Sequence, residues 1–376
     1  MTTAPASSGG LRIALLTGAI GWRGSSAIYA SVATGLAARG HETLVLVDDA
    51  SLAARMDAEG ARTVHVPSRN TGLAEMRRVR EALAPFKPQV LMADRPRDLR
   101  VAAVATLGWP TRLLYRYNLA HRRYPGDAMS RFALWRAAAV AYPSRAIARL
   151  ARERTPRLRG FAATLVPNGV DTARFRPDPE AGRAFRLARD IAADAWVVLL
   201  PAALVRGKGH EAAIAAVSRV AAIADRPVIF VAAGDGKLAA DIRARADAAG
   251  LETRFPGTLT ADELRAALAA ADVVLHPSDM ETFGMSVAEA MACGRPVVAT
   301  RVGGVPEITG QSGRAGLLVT LGDVNALSDA LLHLLADPER RLAMGEAARR
   351  RIESRFPLAA MVAAYERLFL RLADRA

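Results

Sequence analysis

One cysteine, three lysines and 5% aromatic residues among 376 are the chain's shortages, and each narrows what it can be. Cys293 alone forms no internal disulfide, which fits a reducing compartment. No uninterrupted apolar run approaches the roughly 20 residues that span a bilayer. The opening stretch MTTAPASSGG lacks both a basic leader and an apolar segment, so no secretory signal is visible and a cytoplasmic location is expected. No zinc-finger, basic-zipper or RNA-recognition pattern occurs, and nucleic acid is not an expected partner. A hydrophobic fraction of 51% describes a globular chain, long enough for about two domains.

What is abundant is arginine. The formal charge is +14, and its distribution is lopsided. Residues 1–175 hold 26 Lys and Arg against 12 Asp and Glu, while the remainder holds 25 of each. A basic first half attracts anionic partners such as lipid headgroups or phosphorylated glycolipids. An arginine-biased surface without a partner is the plainer alternative.

Short β-branched runs alternate with alanine-rich helical stretches throughout. Strands are predicted at 11–19, 41–49, 63–67, 89–94, 112–118 and 140–144, then at 196–204, 227–234, 272–278, 296–300 and 315–319. Helices such as 25–40, closed by Gly40, and 73–86 lie between them. The alternation predicts parallel sheets buried on both faces. The segment 168–182, with two prolines and mixed charge, reads as a linker between two doubly wound domains. Such domains would face each other across a central cleft, and ligands would sit at the carboxyl ends of their strands. The amphipathic run 358–373 follows a break at Phe356-Pro357 and could cross back to the first domain.

Two motifs carry chemistry. In ALVRGKGHEAAIAAV (203–217) a strand ends in a Gly-Lys-Gly turn before a helix. Glycines let backbone approach a ligand, and a helix start offers unpaired N–H groups to an anion. Lys208 adds a compact charge suited to a diphosphate, flanked by Gly207 and Gly209. The Walker A pattern is absent, since Gly209 follows the lysine. A second glycine-rich turn, TGAIGWRGSSA (17–27), does not match the dinucleotide fingerprint, and its Gly21 and Gly24 are candidates to meet a phosphate or an acceptor.

The second motif is SDMETFGMSVAEAMACGRPVVAT (278–300). A helix is expected from near Phe283 or Gly284, with Glu281 at its mouth and Glu289 inside it. The N–H groups of Phe283, Gly284 and Met285 would lie between the carboxylates. Carboxylates accept hydrogen bonds from sugar and ribose hydroxyls, and helix-start N–H groups take phosphate oxygens. No Asp-x-Asp clamp exists; Asp279-x-Glu281 is the nearest approach, so neither metal nor cofactor is expected.

These residues resemble the family 4 retaining glycosyltransferases, which adopt the GT-B fold. The resemblance rests on VPNGVDTARFRP (166–177), LVRGKGHEAAIAA (204–216), AAGDGKL (232–238) and the block from Asp279 to Pro306. It is looser in the first half, where it rests on Gly18–Gly24, ARGHET and YPSRAIARL (142–150). It implies an acceptor-side Rossmann-like domain over 1–172, rejoined by 357–376, and a nucleotide-sugar domain over 173–356. It also implies that Glu281 contacts the donor sugar, Glu289 the ribose, and Lys208 and the 283–285 backbone the diphosphate. Two departures stand out. Ala203 occupies the place of a frequent family arginine, with Arg206 the nearest substitute. The family histidine ending the strand at RLLYRYN is replaced by Arg116 and Asn118, with His121 a few residues on, and these three are candidate sugar or acceptor contacts.

The expectation is transfer of a sugar from a nucleotide-diphosphate sugar with retention of configuration. Lys208, Arg206 and helix amides would stabilise the leaving diphosphate. The acceptor is expected to be anionic or lipid-linked, a glycolipid or polysaccharide precursor of the cell envelope such as a lipopolysaccharide core. Peripheral association with the inner face of the cytoplasmic membrane would follow. The competing readings are a nucleotide-sugar epimerase of the same fold and a non-catalytic membrane-surface binding protein.

Overall fold

The computed structural model of the chain describes residues 10–22, 24–67, 72–118 and 124–374. It divides into two compact units, Met1–Gly169 with Leu358–Ala376, and Val170–Pro357. In the first unit lie β1 (Arg12–Thr17), β2 (Glu42–Val47), β3 (Thr63–His65), β4 (Val90–Ala93), β5 (Arg112–Arg116), β6 (Ala137–Tyr142) and β7 (Thr164–Leu165). They form one sheet in the order β3-β2-β1-β4-β5-β6-β7. All pairs are parallel, with Ile13 of β1 beside both Thr43 and Val90. In the second unit lie β8 (Trp196–Pro201), β9 (Val228–Ala233), β10 (Thr253–Arg254), β11 (Val273–His276), β12 (Val297–Thr300) and β13 (Leu317–Val319). Their order is β10-β9-β8-β11-β12-β13, again all parallel.

The apolar runs dictate this arrangement. Every residue of β8 is buried, which only a strand covered on both faces requires. Its side chains alternate as a pleated strand must. Trp196, Val198 and Leu200 join the core under helices His210–Ala221 and Val324–Ala336. Val197 and Leu199 join the opposite layer with Phe185, Leu268 and Met291.

Three details differ from the sequence reading. β7 and β10 were not foreseen; each is a two-residue strand at a sheet edge, too short to show a period. β6 begins at Ala137, ahead of the expected 140, because Ala137 and Ala139 pair with Leu113 and Leu114 of β5. The 168–182 stretch is not all linker: Pro179–Leu187 is a helix, started by proline and capped by Asp178 on the Ala181 N–H.

The last helix, Leu358–Ala373, packs on helix Gly24–Ala37. Gly35 allows the approach, since a Cβ there would lie 2.6 Å from Val362. Arg116, at the end of β5, bonds the Tyr365 hydroxyl of this helix at 3.1 Å and Asn168 at 2.9 Å.

Candidate active site

In the second sheet, chain order reverses between β8 and β11, which lie side by side. The loops leaving these strands must diverge to opposite faces, and the gap they leave is where doubly wound sheets bind ligands. Lys208 comes from the loop after β8 and Glu281 from the loop after β11. Lys208 Nζ stands 2.5 Å from Glu281 Oε1. Residues 73 apart in sequence thus meet at the switch point.

Backbone geometry fixes both loops. Gly209 has φ +72°, and a Cβ there would lie 2.0 Å from the Pro277 carbonyl oxygen. Only glycine permits that conformation and that approach together. The Asp279 N–H donates to the Gly207 carbonyl at 3.0 Å, stitching one loop to the other. His210 is buried, its Nε2 lying 3.1 Å from the Ala203 carbonyl oxygen. Behind them, the turn 234–237 braces the β8 loop, with Leu204 N–H donating to Asp235 and Leu238 N–H to Leu204. The Gly303-Gly304 turn backs Glu281 in the same way. Gly304 N–H donates to the Glu281 carbonyl at 3.2 Å, and a Cβ on Gly303 would sit 1.6 Å from that oxygen.

The helix behind Glu281 runs Met285–Ala292. It starts from Gly284 at φ +108°, and no side chain caps it. Helix His210–Ala221 likewise starts from left-handed Gly209 without a side-chain cap. Four other helices of this unit are capped by side-chain oxygens of Asp178, Thr260, Asp323 and Asp337, while those after Leu238 and Gly304 are uncapped as well. The first N–H groups of a helix have no partner within it. At the switch point, two such sets are left without a side-chain acceptor, beside a lysine. Such an arrangement suits an anion in its backbone as well as its charge.

The two glutamates differ in acidity. Burial alone would raise the Glu281 carboxyl, but His276 and Lys208 outweigh it and hold the group at about 2. His276 Nε2 lies 3.2 Å from the same Oε1, and its Nδ1 faces Ser286 Oγ at 3.3 Å. Glu289 is part-buried on the helix, and its carboxylate has no hydrogen bond or ion pair among the described residues. Burial pushes its carboxyl up to about 8.

The other predicted residues lie elsewhere. Arg206 is exposed and contacts no described residue by hydrogen bond or ion pair, so it does not join Lys208 and Glu281. Phe283 is buried against Phe356, leaving its backbone at the helix mouth. Arg116 is 2% exposed and committed to Tyr365 and Asn168. Asn118 is part-buried just past β5. Gly21 is left-handed, with open space around a would-be Cβ, and Gly24 begins the first helix. His121 lies outside the described residues.

Sequence reasoning missed His276 and a second cluster. In the first sheet the reversal falls between β1 and β4, and the stretch after β4, running into the first turn of helix Pro96–Ala105, reads DRPRD (94–98). Gly18 N–H donates to Asp98 Oδ2 at 3.0 Å, and Arg95 Nη1 donates to the Gly18 carbonyl at 2.8 Å. Asp94 is buried behind them, and burial followed by the charge of Asp98 pushes its carboxyl up to about 7. Two acids and two arginines in five residues at a strand end were the available signal.

Two Rossmann-like units of parallel sheet in one chain, with this switch-point site in the second, define the GT-B class of fold. Solved structures agree on the fold. A glycosyltransferase from Rickettsia africae superposes with a TM-score of 0.83 at 17% identity, over 97% of this chain and 99% of that one. Anabaena Alr3699/HepE in complex with UDP and glucose gives 0.83 at 19%, over 96% and 100%. The chain matches the family described as Glycosyl transferases group 1 over residues 184–351 and that described as Glycosyltransferase Family 4 over 22–174. It belongs to the family 4 glycosyltransferases. A GDP-mannose-dependent monoacylated alpha-(1-6)-phosphatidylinositol monomannoside mannosyltransferase of Corynebacterium glutamicum is 36% identical over 198 residues, 50% of this chain and 51% of that protein. A GDP-mannose-dependent alpha-(1-6)-phosphatidylinositol monomannoside mannosyltransferase of Mycolicibacterium smegmatis is 38% identical over 213 residues, 54% and 55%. The matches therefore span about half the length of these relatives.

Proposed function

We propose that the protein transfers a sugar, with retention of anomeric configuration and without a metal, from a nucleoside diphosphate sugar to a lipid-linked or polysaccharide-precursor acceptor of the cell envelope. The observation that carries this reading is the Lys208–Glu281 pair at a switch point whose helix starts lack side-chain caps. An ammonium has three donors, so one can hold Glu281 while the others meet phosphate oxygens. The N–H groups of Phe283, Gly284 and Met285 face the same diphosphate. Together they stabilise the charge that grows on the leaving group, without reorganising as it grows. Glu281, ionised and oriented by Lys208 and His276, accepts hydrogen bonds from the sugar hydroxyls. Glu289 takes the ribose.

The acceptor reading is supported by two observations. The named relatives act on phosphatidylinositol mannosides, and all of this chain's net positive charge lies in residues 1–175. No helix among the described residues is long and apolar enough to cross a membrane, so contact with a lipid acceptor is proposed to be peripheral, at the inner face of the cytoplasmic membrane. A thermal-shift panel of nucleoside diphosphates in EDTA tests the donor site, because a ligand that binds only the folded state raises its melting temperature. Stabilisation by one of them is expected. Melting curves unmoved by every nucleoside diphosphate at millimolar concentration would remove the reading.

A further inference from the structure

Each sheet has its own switch point, and the two are furnished for different ligands. In the second unit the helix starts are left open beside Lys208. In the first, an acid takes that place. Asp98 lies in the first turn of helix Pro96–Ala105, where its charge favours the helix start, and its Oδ2 accepts the Gly18 N–H at 3.0 Å. A phosphate arriving here would meet a carboxylate already in position.

Behind it lie polar groups that the fold does not use. Asp94 is 1% exposed, and neither of its oxygens accepts a hydrogen bond from a donor among the described residues. The bond open to it is with the Asp98 carboxyl, which needs a proton between the two. Tyr29, fully buried on helix Gly24–Ala37, brings a hydroxyl that also lacks a partner, and the charge of Asp94 reaches it. Arg116 offsets the acids in charge, but its Nε and Nη2 are taken by Tyr365 and Asn168. Orphaned groups of this kind cost stability where apolar residues of the same shape would not, so the cluster does not serve the fold. The cover over Gly18 is made of side chains. Arg95 Nη1 donates to the Gly18 carbonyl at 2.8 Å, and a Cβ on Gly18 would lie 1.3 Å from Arg97 Nη2. Both arginines are part-exposed, so a ligand reaches the acids by turning side chains rather than by moving a strand.

We infer that Asp94 and Tyr29, backed by Asp98, bind the hydroxyls of a neutral sugar or polyol group of the acceptor at the switch point of the first unit. A hydroxyl both donates and accepts, which satisfies an acid pair and a phenol together, whereas a phosphate only accepts and adds like charge. Naming the ligand as the acceptor rests on the transfer reading; the preference for hydroxyls rests on the cluster alone.

The test is ligand-observed NMR on the full chain with methyl α-mannopyranoside and methyl α-glucopyranoside, and with mannose 6-phosphate and glucose 6-phosphate. A neutral glycoside is expected to bind more tightly than either phosphate. Asp94→Leu should weaken that glycoside by about tenfold or more while the chain still melts cooperatively, the usual loss of a hydrogen bond to a charged group. Tyr29→Phe removes one hydroxyl and should weaken it by about threefold to tenfold, which keeps the inference testable where Asp94→Leu does not fold. Folded variants that bind the glycoside as the wild type does overturn the inference. So do phosphates that bind more tightly than the neutral sugars, or a wild type that binds no glycoside. Failure of the donor reading shows separately, as nucleoside diphosphates that leave the melting curve unmoved.

Discussion

Replacing Glu289 by glutamine should stabilise the ligand-free protein, and only at high pH. The carboxyl is pushed from an ordinary 4.5 up to about 8 because burial penalises its charged form. A raised acid binds its proton more tightly folded than unfolded. Folding is therefore undisturbed below about pH 4.5, loses stability progressively as pH climbs to 8, and carries the full loss above 8. Each pH unit corresponds to about 1.4 kcal/mol, so the ceiling is roughly 5 kcal/mol. Glu289 is only part-buried, and solvent screening brings a reasonable figure down to about 2–3 kcal/mol. For a unit of this size that is a gain of roughly 5–10 °C in melting temperature. The assay is a pair of melting curves, wild type and Glu289→Gln, at pH 5 and at pH 8.5. The curves should nearly coincide at pH 5 and separate at 8.5, with the variant higher. A gap of the same size at both pH values, or a variant that melts lower at 8.5, would refute the account of a charge buried without a partner.

Four further outcomes follow from the same geometry. Lys208→Ala should lower kcat by about 10²–10³-fold, the typical loss when one donor to a developing charge is removed, with the melting temperature little changed. Gly209→Ala should lower the melting temperature and weaken nucleoside diphosphate binding. It costs at least about 1 kcal/mol for the left-handed backbone, and adds the Cβ contact with Pro277. Tyr365→Phe should cost about 1–3 kcal/mol in chemical denaturation, by stripping buried Arg116 of a partner. Nucleotide binding at about pH 5.5 should release up to one proton, because burial raises the Glu289 carboxyl and a ribose hydrogen bond to it would favour the ionised form. Titration calorimetry in buffers of different ionisation enthalpy reads that number directly.

The switch-point site was legible because its motifs are local. Gly-Lys-Gly before a helix, and a glutamate before a glycine-started helix, each state their conformation within a few residues. What joined them was topology: adjacent β8 and β11 bring Lys208 to Glu281. Arg116 shows the opposite case. Read from the end of its strand it looked free to meet a sugar, yet its partner Tyr365 lies 249 residues away on a helix that returns to the first unit. No local pattern announces such a bond. His276 was similarly hidden, because the last residue of an apolar strand reads as core until the following loop folds its glutamate back beside it. The glycines at 303 and 304 carry no local signal of a site, yet they back Glu281 itself.

The opposed acidities of the two glutamates bear on how one site could handle a ligand that is anionic at its centre and hydroxylated at both ends. Glu281 keeps its charge at any physiological pH, because Lys208 and His276 outweigh the cost of burial. A fixed anion there repels phosphate and accepts from hydroxyls, so it would hold a diphosphate towards the lysine and the helix amides and leave room for the sugar. Glu289 has no such neighbours, and burial holds its carboxyl above the usual range until a ligand arrives. A ribose that donates hydrogen bonds to it would favour the ionised form, so its charge would appear with the nucleotide and not before. Protonation at position 289 would then record occupancy, whereas ionisation at position 281 would set orientation. The pair of glutamates, alike in sequence, would divide the work by environment alone.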